Sequence, residues 1–175
     1  MLRHHTMTTP AGPLTVVVSE SGAVRAAGFT GDVDELLPLI HPDLREAAEP
    51  ADDIGAVTAR VRSYFDGDLT AIDDVPVEQR SGGEFMRHAW RVMRDIKPGT
   101  PVTYSEFARL AGRPAAIRAA AAACARNPVA FFTPCHRVLR LDGSLGGYRW
   151  GLSVKQQLLD HEAAGYSQIP GTRQP

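Results

Sequence analysis

The chain has 175 residues, 43% of them hydrophobic, and a formal net charge of -1, a composition that excludes a disordered polymer and holds enough apolar material for a core. No apolar run reaches membrane-spanning length, and the start Met1-Leu2-Arg3-His4-His5 is followed by no apolar signal core, so the expectation is a cytoplasmic protein. The charge is unevenly placed: residues 1–83 hold 6 Lys+Arg and 14 Asp+Glu, net -8, and residues 84–175 hold 13 and 6, net +7. Such polarity fits a protein that offers one face to nucleic acid, or two halves that dock on each other.

In chain order, Leu14 to Ser19, a turn at Glu20-Ser21-Gly22, and Ala23 to Phe29 predict a β-hairpin. Asp53 is placed to cap a helix whose apolar residues Ile54, Val57, Val61 and Tyr64 recur at helical spacing, with Gly67 as its stop. Val75 to Val77 suggest one more strand, and the Asp-, Gly- and Ser-rich stretch Asp68 to Gly83 reads as a linker. The division expected is an α+β scaffold over residues 1–80 and a helical unit over residues 84–170.

In the second half, Ser81-x-x-Glu84 resembles a capping box, followed by a stripe of Phe85, Ala89, Val92 and Ile96 that stops at Lys97-Pro98-Gly99. Thr103-x-x-Glu106 opens a short helix with Phe107 and Leu110 inward, closed by Gly112, and a third helix runs from about Ala115 to Ala125. This is a helix-turn-helix, a motif that many helical cores contain without binding DNA. Its second helix carries the run Ala119 to Ala123 between Arg118 and Arg126. Helix propensity alone accounts for alanines. Small side chains at Ala119 and Ala122 also let a helix enter a narrow groove, with Arg118 as a reaching cation.

Two cysteines, Cys124 and Cys135, in a chain without a secretion signal argue for a free thiol rather than a disulfide framework. An isolated intracellular cysteine is most often inert and buried. Cys135, however, is followed by His136 and Arg137, and a thiol becomes a nucleophile when a base or positive charge favours its thiolate. In the helix expected from Ser153, capped by that residue with Gln156 at its third position, Val154, Leu158 and Glu162 share one face at i, i+4 and i+8. If that face is inward, Glu162 needs a partner, and a histidine would fit; otherwise it is a solvated acid at a helix end.

The elements Asn127-Pro128-Val129, Pro134-Cys135-His136-Arg137-Val138, Gly143 to Tyr148 and Leu158 to Glu162 resemble, in order and spacing, the signature of the O6-alkylguanine-DNA alkyltransferases, continuously from about residue 84 to 165. The resemblance implies an RNase H-like α/β domain followed by a helical domain with a helix-turn-helix and an active-site loop. It implies irreversible, stoichiometric transfer of an alkyl group, mainly from O6-methylguanine and also from O4-methylthymine, to Cys135 of a single-turnover methyltransferase. His136 would deprotonate Cys135 through a water, Glu162 would orient His136, and Asn127 would brace the turn. Tyr104 would turn the nucleotide and donate to the base, while Arg118 fills the gap in the stack. Val138, Tyr148, Arg149 and Trp150 would form the substrate pocket. The partner implied is double-stranded DNA, approached from the minor groove with the damaged base flipped, by a monomer without metal or cofactor.

Two departures stand out. Alanines follow Arg118 where the family commonly has glycines, and the bulky Arg149-Trp150 stands where small residues are usual, which predicts preference for methyl over larger adducts. Three other readings compete: a lesion-binding protein without alkyl transfer, which retention of Cys135 opposes; a cysteine hydrolase, for which no oxyanion-hole signature is present; and a helix-turn-helix regulator, whose alanine-rich helix offers few base-reading side chains. Residues 1–83 contain no cysteine, so His4 and His5 read as a solvated start of the chain rather than metal ligands.

Overall fold

The computed structural model describes residues 1–167; the last residues of the expected second unit lie outside them. Strands β1 (Leu2–Thr9), β2 (Gly12–Val18), β3 (Val24–Gly28) and β4 (Ala48–Pro50) form a sheet of order β3-β2-β1-β4, antiparallel except for the parallel pair β1 and β4. The predicted hairpin is β2 and β3. The solvated start is corrected: His4 and His5 sit half-buried inside β1, an inner strand, and the His5 ring bonds the Ala51 carbonyl at 2.9 Å. Leu14 to Val18 are buried without alternation because both faces of the sheet are covered. Helix α1 (Ala56–Phe65) packs on one face, and the 3₁₀ turns between residues 33 and 44 cover Leu2, Val17 and Ala26 on the other.

Several boundaries shift. Helix α1 begins after Gly55, at φ 67, and Asp53 accepts from the Gly55 N–H outside the helix instead of capping it. The stretch expected to be a linker is packed: Leu69, Ala71, Ile72 and Val75 are all in the core. Val77 makes a single bridge to Val24 rather than a strand. Helix α2 (Glu84–Arg94) is capped by Gly83 without a side-chain bond, so the first capping box is absent, and its inward face is Ala89, Trp90 and Met93, with Phe85 and Val92 only half-buried.

The helix-turn-helix is α3 (Tyr104–Leu110) and α4 (Ile117–Ala125), joined through Gly112 at φ 84. Thr103 does cap α3, its hydroxyl accepting from the Glu106 N–H at 3.2 Å, but Leu110 is exposed. The Trp90 indole N–H donates to the Ala123 carbonyl and so fixes α4 against α2. Short strands β5 (Val102–Thr103) and β6 (Val138–Leu139) pair in parallel, and helix α5 (Leu152–Ser167) closes the chain described, with Ser153 inside its first turn rather than at its cap. Among the described residues, no helix is long and apolar enough to cross a membrane.

Candidate active site

The loop from α4 to Cys135 is tied to the sheet edge. Ala27 in β3 donates to the Pro128 carbonyl and accepts from the Ala130 N–H, so residues 128–130 cover an otherwise open strand edge. The chain then reverses at Phe131, whose φ of 76 makes it the one non-glycine residue with positive φ among the described residues. That conformation costs on the order of 1–3 kcal/mol and persists only where the surroundings impose it. Here Phe29, Tyr64 and Phe132 meet the Phe131 ring edge-on and Phe65 stacks on it.

Asn127 spans the reversal: its amide N–H donates to the Thr133 carbonyl at 2.7 Å, and its oxygen accepts from the Val129 N–H and from Gln79. Gln79, from the stretch read as a linker, also accepts from the Thr133 hydroxyl at 2.6 Å. Cys135, His136 and Arg137 follow in one 3₁₀ turn, all buried. A 3₁₀ turn separates successive side chains by about 120°, so Cys135 faces a cavity while its two neighbours face Glu162.

Glu162 is fully buried on α5 and gathers four donor atoms: the Tyr64 hydroxyl at 2.8 Å, His136 Nε2 at 2.7 Å, and Arg137 through Nη2 at 2.9 Å and Nε at 3.0 Å. The hydrogen bonds from His136 and Arg137 and the Arg137 charge hold the Glu162 carboxyl far below the usual range despite burial. An ionised carboxylate only accepts, so His136 must carry its proton on Nε2, which leaves a lone pair on Nδ1. That Nδ1 is buried without a partner among the described residues, and burial lowers the His136 pKa and keeps the ring neutral. The Cys135 thiol is pushed up by burial, opposed by the neighbouring Asn127 amide, Lys155 and Arg149. At rest the pair is therefore thiol and neutral imidazole.

The cavity encloses about 350 Å³ and is lined by Tyr104, Ala121, Cys124, Ala125, Asn127, Ala130, Cys135 and the strand of chain from Gly147 to Trp150. The Tyr148 hydroxyl is buried without a partner among the described residues, and the Tyr104 hydroxyl would meet a Cβ added at Gly146 at 3.2 Å. Four expected lining residues separate. Tyr148 lines the cavity. Val138 is fully buried in the core and is not in the lining, its carbonyl occupied by Lys155. Arg149 borders the cavity and is anchored on the Ala125 carbonyl at 3.0 Å. Trp150 turns its indole onto Gly28 of β3, where an added Cβ would lie 2.3 Å from the ring, so much of its bulk leaves the cavity for the sheet.

Sequence reasoning missed the side chains that hold this arrangement. Arg137 is 1% exposed and also donates to the Ile96 carbonyl at 2.7 Å. Lys155, equally buried, donates to the carbonyls of Val138, Leu145 and Gly147 and so gathers the loop that walls the cavity. Cys124 stands in the lining, its thiol pushed up by burial. Only the i, i+7 step from Lys155 to the inward Glu162 hinted at the lysine. Arg118 and Ala119 are exposed and Ala122 is half-exposed on the outer face of α4, beside the cavity mouth. No group of three or more His, Cys, Asp or Glu among the described residues could hold a metal.

This pairing of a buried thiol with a positioned base, behind a helix-turn-helix, coincides with residues 84–164, which match the family model described as 6-O-methylguanine DNA methyltransferase, DNA binding domain. The chain is 34% identical to the methylated-DNA--protein-cysteine methyltransferase of Shigella flexneri over 88% of this chain and 91% of that one. It is 36% identical to the enzyme of the same name from Salmonella typhimurium, with the same coverage. The crystal structure of Mycobacterium tuberculosis OGT in complex with DNA superposes with a TM-score of 0.78 at 29% identity, covering 93% of this chain and 94% of that one. The chain belongs to the methylated-DNA--protein-cysteine methyltransferase family.

Proposed function

We propose that the chain repairs DNA by moving the alkyl group of O6-alkylguanine, chiefly O6-methylguanine and also O4-methylthymine, irreversibly onto Cys135. The observation that carries this reading is Cys135 in the cavity wall with His136 and Glu162 buried behind it, Nδ1 of His136 being an acceptor without a partner among the described residues. A base inside a duplex is out of reach, so the nucleotide flips out, at a cost of a few kcal/mol. Ala119 and Ala122 let α4 approach the minor groove, and Arg118, exposed at its first turn, fills the vacated stack. Tyr104 steers the nucleotide, and the backbone at Tyr148, in the cavity lining, meets the purine edge; Val138, whose backbone groups are taken by Cys135 and Lys155, does not.

A water relays the Cys135 proton to His136 Nδ1, a buried acceptor without a partner among the described residues that a bound water would satisfy. Glu162 stabilises the imidazolium that forms. Sulfur attacks the alkyl carbon as the carbon–oxygen bond breaks, and the departing guanine takes a proton from Tyr104 or Tyr148. The product is a thioether, which water does not cleave, so each molecule acts once. Asn127 holds the turn that aims the sulfur. In this reading the protein is a cytoplasmic monomer, with an RNase H-like unit over residues 1–80 and the acceptor unit over 84–170; the meander β1 to β3 with β4 parallel to β1 supports the first assignment.

Incubation with an oligonucleotide containing O6-methylguanine, followed by intact mass measurement, tests this. One methyl per chain is expected, mapped to Cys135 and absent from Cys135→Ala. Repeated turnover, or an unchanged mass with tight lesion binding, overturns it, the second result favouring a binding protein that does not react.

A further inference from the structure

Beside the outer face of α4, on the flank away from the cavity, lies a second groove whose lining includes His41, Arg45, Arg80, Trp90, Arg126 and Pro128 and which encloses about 280 Å³. At about 100° per residue, Ala121, Cys124 and Ala125 fall on the cavity flank of α4, whereas Ala119 and Arg126 fall on the opposite one, with Arg118 and Ala122 between them. Exposure agrees: residues 118, 119, 125 and 126 are exposed and Ala120 and Ala123 buried. The exposed face of α4 is therefore bordered by the acceptor cavity on one side and by a groove carrying three arginines on the other.

We infer that this groove takes backbone phosphates of the undamaged DNA strand. The inference rests on the proposed approach of α4 to the minor groove. A helix lying there has one strand on each flank; if the strand bearing the lesion feeds its nucleotide into the cavity, the complementary strand runs over Arg126 and the groove beyond it. The guanidinium of Arg126 makes no hydrogen bond or ion pair with another described residue. Arg80 pairs with Asp43 at 2.8 Å, but both are about half exposed, a pair of little net strength that a phosphate can exchange. Arg45 is spent on the carbonyls of Pro38 and Ile40 and shapes the groove wall. His41 accepts from the Asp43 N–H. The acidic half of the chain, net -8, thus places cations here, where the +7 half presents α4.

The test compares strands. Binding of the parent chain, Arg126→Ala and Arg80→Ala/Arg126→Ala is measured against salt on an O6-methylguanine duplex and on the same oligonucleotide single-stranded. Each lost phosphate contact lowers the slope of log K against log salt by about 0.9 on a duplex. The double variant is expected to lose nearly two units of slope on the duplex and none on the single strand, with methylation of Cys135 in the single-stranded substrate unchanged. Equal losses on both substrates, or no loss on the duplex, overturn the inference. Failure of the parent chain to methylate Cys135 at all overturns the proposed reaction instead, so the two failures are distinguishable.

Discussion

Replacing Glu162 by Gln isolates what the buried carboxylate contributes. Its Oε1 receives the Tyr64 hydroxyl, His136 Nε2 and Arg137 Nη2 within 2.9 Å, and Oε2 receives Arg137 Nε at 3.0 Å. An amide of the same shape has one acceptor oxygen and one donor group, so in either orientation an N–H faces another donor. Arg137, 1% exposed, then keeps its charge with no counter-charge. Removing one partner of a buried ion pair costs about 3–5 kcal/mol, a large share of a total stability of roughly 5–15 kcal/mol. For a chain of this size the melting temperature should fall by roughly 6–20 °C, at about 2–4 °C per kcal/mol. Methyl transfer should slow by about two orders of magnitude, the lower end of what a general base contributes, because His136 is no longer held in its Nε2-protonated form. Chemical denaturation and single-turnover transfer to a methylated duplex measure the two effects. A variant within about 1 kcal/mol of the parent, too small a change for a broken buried pair, and with an unchanged rate, would refute this account of the site.

The pH dependence follows from the same contacts. The folded Glu162 pKa lies below its ordinary value, so its stabilisation is present above the ordinary carboxylate range and is lost as pH falls through the folded value. The folded His136 pKa is also lowered, so the unfolded chain binds its proton first and stability drops as pH falls below about 6.5, the ordinary imidazole value. Unfolding titrations should show a loss between pH 7 and 5 that His136→Asn diminishes, and a flat profile in the parent would contradict a neutral buried imidazole. Tyr64→Phe removes one bond to a charged acceptor, worth about 1.5–3 kcal/mol, yet leaves His136 and Arg137 on Glu162; stability should fall while the transfer rate stays within about threefold, a change under 1 kcal/mol. Lys155→Met keeps the length and deletes the ammonium that gathers three carbonyls, so amide exchange at Gly146 to Tyr148 should accelerate and transfer should slow. Since Trp150 leans on Gly28, Gly28→Ala drives the indole back toward the cavity, with about 1–3 kcal/mol of overpacking; competition between methyl- and benzyl-guanine oligonucleotides should move further toward methyl.

The parts of this molecule that sequence exposed are those whose signal is local. The hairpin of β2 and β3, the cap at Thr103 and the inward stripe from Val154 through Leu158 to Glu162 each follow from spacing over a few residues. Strand β1 was hidden because its inner position depends on Ala48 to Pro50 pairing alongside it, and its polar residues His4, His5 and Thr6 mask the pattern. The stretch after Asp68 has the composition of a loop, and only the tertiary fold reveals that Leu69, Ile72 and Val75 are core and that Gln79 reaches the acceptor turn. Arg137 and Lys155 could not be told from surface cations, since what buries them is a set of carbonyls and a carboxylate supplied by distant segments. Tyr64 was legible as an apolar face position, but its hydroxyl partner lies 98 residues away.

If Cys135 is the one-use acceptor proposed above, the protonation state of the resting site bears on why it is built this way. Burial raises the Cys135 thiol and lowers the His136 imidazole, so both shifts oppose the separated thiolate and imidazolium. A permanently ionised thiolate would meet peroxides and soluble electrophiles, and each such reaction would consume a molecule that acts only once. With thiol and neutral ring at rest, proton transfer in the proposed reaction waits for a nucleotide that fills the cavity, excludes water and brings the alkyl carbon to the sulfur. In the proposed reaction Glu162 matters more in the reacting state than at rest, because its charge would stabilise an imidazolium that exists only while the carbon–oxygen bond is breaking. Its anchorage by Tyr64 from α1 and Arg137 from the acceptor turn makes that charge a property of the whole fold. A helical half cut away at residue 84 would retain Cys135 and His136 but lose Tyr64 and Gln79, and with them part of the geometry that keeps the thiol quiet until it is used.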